Sequence, residues 1–116
     1  MKFDLKKIYI TGVSGFIGSR VAKLFTENGY HVIGIVKKSG TIVSKELGIE
    51  VIESDLIDKG DLILQPAEAI IHCATANDIL SKDMEMALSL SIVGTSKILE
   101  AARNAKISKF IFFSTA

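Results

Sequence analysis

Gly12, Gly15 and Gly18 recur at a spacing of three, directly after an apolar run at 8–10 and directly before a segment of helical period; nothing else constrains the chain as strongly. A glycine pattern alone says little, but between a strand and a helix it specifies a turn. The first glycine permits the sharp reversal, the second keeps a Cβ out of the path of an incoming group, and the third lets the helix lie close on the strand. Backbone amides at the helix start then point at the turn's occupant, and an anion is what they favour. No Gly-Lys-Ser or Gly-Lys-Thr follows. That disfavours a triphosphate loop and leaves the pyrophosphate of a dinucleotide as the expected occupant.

The rest of the chain repeats the strand-helix alternation. Runs at 8–10, 32–36, 50–52, 69–73 and 110–113 are short, β-branched or aromatic and nearly continuous in apolarity, as strands buried on both faces are. Ile17, Val21, Leu24 and Phe25 share one helical face, and Gly29 closes that helix. A long second helix is predicted over 81–104, where Met84, Leu88, Ser91, Thr95, Ile98 and Ala102 recur at steps of four and three. Residues 41–47 form a weaker helical candidate, and 58–66 read as a loop or a single turn. Such alternation predicts a doubly wound parallel sheet of about five strands in a three-layer α/β/α arrangement.

At 116 residues this is material for one domain, spanning 1–116. Apolar residues at 48% and charged residues at 23% supply a core and exclude a disordered chain. With 14 basic and 13 acidic side chains the balance offers no broad footprint for nucleic acid or a membrane surface. Cys73 is the single cysteine and lies in an apolar run, so it reads as a small buried hydrophobe and not as a catalytic thiol. His72, ending the same run, reads as a hydrogen-bonded core residue. No secretory leader or spanning segment is recognisable, no metal site is expected, and the expected location is cytoplasmic.

Thr11-Gly-x-x-Gly15-x-x-Gly18, with Phe16-Ile17-Gly18 inside it, resembles the extended short-chain dehydrogenase/reductases, the NAD(P)-dependent sugar epimerase and dehydratase group. The resemblance continues through Asp55-Leu56, His72-Cys73-Ala74-Thr75, Gly94-Thr95 and the run 110–115. It implies a Rossmann-like fold, with Gly12, Ser14, Gly15, Phe16, Ile17 and Gly18 at the dinucleotide phosphates. Asp55 and Leu56 would meet the adenine, and Ala74, Thr75 and Ala76 the phosphates and ribose. The residue ending the second strand sets the choice of cofactor, because a carboxylate there accepts from the ribose 2′-hydroxyl. Val36 holds that place and Lys37 and Lys38 follow. Lys37 would meet a 2′-phosphate with positive charge, so the expectation leans to NADP over NAD; two solvated surface lysines are the plainer alternative.

The resemblance further implies a Ser or Thr after the fifth strand, then a Tyr and, four residues on, a Lys that lowers the tyrosine's pKa for acid-base work. Thr115 takes the hydroxyl position, with Ser114 as second choice. The only tyrosines, Tyr9 and Tyr30, are not followed by Lys at the fourth position. The 116 residues are therefore expected to bind cofactor without catalysing hydride transfer. The intact enzyme would be an NAD(P)-dependent epimerase, dehydratase or oxidoreductase acting on a nucleotide sugar or a related small carbonyl or hydroxyl compound. An apolar run at 110–113 is one that sheets rarely leave as an open edge, so the expectation is an amino-terminal piece of a longer enzyme, truncated after the fifth strand, a truncated frame, or a self-associating protein. Ser91 stands where the family commonly carries Asn. The resemblance implies a homodimer through the long helix; the residue pattern assigns its stripe to packing on the sheet. The alternative function is a non-catalytic dinucleotide-sensing module of the same fold. A methyltransferase is disfavoured because Val36 is not acidic.

Overall fold

The computed structural model describes residues 6–37, 40–55, 60–73 and 90–113. Five parallel strands, β1 Lys7–Thr11, β2 His31–Val36, β3 Glu50–Glu53, β4 Ala69–His72 and β5 Lys109–Phe112, form one sheet in the order β3-β2-β1-β4-β5. Helices α1 Phe16–Glu27, α2 Gly40–Leu47 and α3 Thr95–Asn104 cover it.

Alternation along the strands builds two cores. Ile8, Ile10, Val32, Val36 and Ile71 face one way and pack with Val13, Ala22 and Val43 beneath α1 and α2. Tyr9, Ile33, Ile35 and Ile70 face the other way and pack with Ile98, Ala101 and Ala102 of α3. The sheet is thus the middle of three layers, as the doubly wound expectation requires.

The first helix ends as its sequence predicts. Gly29 adopts φ 87°, its N–H donates to the Thr26 carbonyl at 3.1 Å, and the Tyr30 N–H donates to the Phe25 carbonyl at 3.0 Å. This is the paired closure of a Schellman motif. The rings of Phe25 and Tyr30 meet edge-to-face, 5.0 Å between centroids, as its apolar lock.

The long helix expected over 81–104 differs from the structure. Residues 81–89, with Met84, lie outside the described residues, and so does Leu88. From Leu90 to Gly94 the backbone is a π turn, and α3 proper begins at Thr95. Two β-branched residues followed by a glycine, Ile92-Val93-Gly94, are poor helix formers, which accounts for the wider winding there. Ile98 and Ala102 are buried on the sheet as the stripe demands. The strand expected over 69–73 stops at His72, because the Cys73 N–H turns to the Thr11 hydroxyl. The weak candidate at 41–47 does form a helix. Its cap comes from far along the chain: the Gly40 N–H donates to a carboxylate oxygen of Glu53 at 2.7 Å. Residues 60–68 carry no helix or strand. Among the described residues no helix is long and apolar enough to cross a membrane.

Candidate functional site

The chain runs outward from β1 through β2 to β3 and then crosses to β4 on the other side of β1. The reversal puts the switch point of the sheet at the carboxyl ends of β1 and β4, where doubly wound sheets have the crevice that takes their ligands. The glycine-rich turn sits on its lip.

Each glycine there answers to a different constraint. Gly12 adopts φ 70°, the left-handed region that favours glycine, and its carbonyl accepts from the Gly15 N–H at 3.0 Å. At Gly18 a Cβ would come within 1.9 Å of the Gly12 carbonyl oxygen, so helix and turn touch through that missing atom. Gly15 is unlike both. Its φ of −86° suits any residue, and among the described residues a Cβ there would meet only the Gly12 oxygen at 3.4 Å, an ordinary contact. The packing of the described residues does not require glycine at 15. Gly34, which sequence reasoning passed over, is demanded instead: a Cβ on it would lie 2.7 Å from a Val13 methyl. Val13 is fully buried and pins the turn to the core over β2. A glycine inside an apolar strand was the signal for that close approach.

Gly15 is the N-cap of α1, with no side-chain cap and no acidic residue in the first turn. The amides opening this helix therefore carry the positive end of its dipole with no acidic residue in its own first turn to offset it. Ser14 and Ile17 are exposed, and Phe16 is 70% exposed with the Arg20 guanidinium 4.0 Å over its ring.

Two further expected residues meet. Lys37, after β2, places its Nζ 4.0 Å from a carboxylate oxygen of Asp55, after β3. Lys97 of α3 donates to the Asp55 backbone carbonyl at 2.9 Å; nothing in the sequence signalled that tie. Leu56, Ala74, Thr75, Ala76, Ser114 and Thr115 lie outside the described residues, as does Lys38.

His72 has no solvent exposure. Its Nδ1 shares a hydrogen bond of 2.7 Å with the Thr11 hydroxyl, and its Nε2 one of 3.1 Å with the Thr95 hydroxyl. Burial lowers its pKa to about 4, which keeps the ring neutral. Its expected place as a hydrogen-bonded core residue agrees with this geometry; Thr11 and Thr95 as its partners were not foreseen. Cys73 is half-buried, and burial pushes its thiol pKa up, away from the thiolate.

Comparison with known proteins gives these features a setting. Residues 8–116 match the model of the NAD dependent epimerase/dehydratase family. A bifunctional dihydroflavonol 4-reductase/flavanone 4-reductase of Malus domestica is 31% identical over 129 residues, covering 100% of this chain and 37% of its own length. Among solved structures, Gre2 of Candida albicans in complex with NADPH superposes with a TM-score of 0.77 at 26% identity, covering 94% of this chain and 37% of that one. The Bordetella bronchiseptica enzyme WbmH in complex with NAD+ gives a TM-score of 0.73 at 30% identity, covering 97% of this chain and 40% of that one. The chain thus spans well under half the length of these relatives.

Proposed function

Since the chain belongs to the NAD dependent epimerase/dehydratase family, we propose that it is the cofactor-binding portion of an NAD(P)-dependent epimerase, dehydratase or reductase acting on a nucleotide sugar or a related carbonyl or hydroxyl compound. The observation that carries the reading is the glycine at 15. Neither its backbone angles nor its neighbours among the described residues call for glycine, yet it stands at a helix start with no side-chain cap. A pyrophosphate lying on those amides would need the missing Cβ.

In this reading Gly12, Ser14, Gly15, Phe16, Ile17 and Gly18 cradle the phosphates. Asp55 and Leu56 would contact the adenine, and Ala74, Thr75 and Ala76 would meet the phosphates and ribose. Lys37 stands where a 2′-phosphate would draw it from Asp55, which favours NADP over NAD. The nicotinamide ring, when bound, supplies a hydride acceptor or donor. Thr115, or Ser114 in its stead, would hydrogen-bond the substrate. The sequence holds no Tyr-x-x-x-Lys, so the 116 residues are expected to bind cofactor without turnover. A homodimer would use the outer face of α3 around the half-exposed Leu99.

Calorimetric titration of the chain with NADP+, NADPH, NAD+ and NADH tests the reading. The phosphorylated pair should bind more tightly. Gly15→Ala should cost no more than about 1 kcal/mol of stability, the loss of a tolerated cap, while dinucleotide affinity falls by roughly tenfold or more, which is about 1.4 kcal/mol. Unchanged affinity in that variant would falsify the assignment.

A further inference from the structure

The floor of the crevice is polar but closed to water. Thr11 and His72 are cross-strand partners at the last residues of β1 and β4, and neither has any solvent exposure. The Thr11 hydroxyl accepts from the Cys73 N–H at 2.9 Å and shares its 2.7 Å bond with His72 Nδ1. On the far side of the ring, Nε2 reaches the hydroxyl of Thr95, the first residue of α3, directly after the π turn Leu90–Gly94. Hydroxyls both donate and accept, so the neutral ring is satisfied in either tautomer. Phe110 and Phe112 of β5 lie against the imidazole at 6.0 and 5.5 Å between centroids and limit its rotation.

An apolar side chain of similar shape could fill this place beside the two phenylalanines without an imidazole to desolvate, but it would forgo the ring's bonds to the Thr11 and Thr95 hydroxyls. What the imidazole adds is direction, because each nitrogen fixes one neighbour. One neighbour leads straight into the glycine-rich turn; the other opens α3 on the opposite wall. We infer that His72 is a positioning residue for dinucleotide binding, which through Thr11 and Thr95 holds the glycine-rich turn and the entry of α3 at one fixed spacing across the crevice. The inference rests on the dinucleotide reading for its ligand, but not for the coupling between the two walls.

The experiment compares the chain with Thr95→Val, which removes the hydroxyl at constant shape, and Thr95→Ser, which restores it. Val43→Ala serves as control, a core truncation under α2. Amide exchange of residues 12–18 is followed without ligand, and NADP+ affinity is measured by calorimetry. Thr95→Val should speed exchange in the turn and weaken NADP+ by roughly three- to tenfold, the scale of one buried hydrogen bond. Thr95→Ser should return both to the starting values, and Val43→Ala should move neither despite a lower Tm. Turn exchange in Thr95→Val equal to that of the unaltered chain would overturn the inference, as would the same change in Val43→Ala. Faster turn exchange in Thr95→Val, in a chain that binds no dinucleotide, would sink the functional reading while the coupling stood.

Discussion

Gly15 and Gly18 are identical residues three apart, yet their substitutions should fail in opposite ways. Gly18→Ala drives a methyl into the Gly12 carbonyl at 1.9 Å. Backbone cannot yield as a side-chain end can, so the loss should be about 3 kcal/mol or more in urea unfolding, with binding lost along with the fold. Gly15→Ala should fold and lose only its ligand. His72 makes a second residue-scale case. The unfolded chain takes up its proton near the ordinary 6.5, whereas the folded chain resists down to about 4. Its stabilising contribution is therefore complete above pH 6.5 and is lost as pH falls from 6.5 toward 4, in total by about 3 kcal/mol. Urea midpoints at pH 7, 5.5 and 4.5 should decline in step, and His72→Gln should flatten that part of the curve.

At the scale of elements, what was legible depended on whether a signal was local. The end of α1 could be read because Gly29, Phe25 and Tyr30 lie within six residues and close on one another. Strands β1, β2 and β4 could be read because burial on both faces leaves few polar positions, whereas the edge strands β3 and β5, which the sequence also suggested were buried on both faces, are partly exposed. The cap of α2 could not be read, since Glu53 belongs to a strand beyond the helix. Glu53→Ala should accordingly cost about 1 to 2 kcal/mol, seen as reduced helical circular dichroism and a lower urea midpoint. The π turn was missed for a related reason: a stripe of apolar residues at steps of three and four tolerates one wider turn without changing its pattern. In the site the glycines were legible by spacing. The meeting of Lys37 with Asp55, and of His72 with two threonines, depends on strand order, which the periodicity of a single segment does not contain.

For the whole molecule, the position of β1 has a kinetic consequence. Ile8 pairs with Val32 of the neighbouring β2 and also with Ala69, much farther along the chain. Loop closure makes the nearer pairing easier to reach first. Ile33→Val, on β2, should therefore slow refolding, while Ile70→Val, on β4, should chiefly hasten unfolding, a contrast that stopped-flow mixing can resolve. Because the crevice lies on the seam between β1 and β4, its two walls are assembled at different times. A newly made chain carries the anion-facing turn before it has any floor beneath it, and dinucleotide present during synthesis would meet only half a cleft until the fourth strand docks.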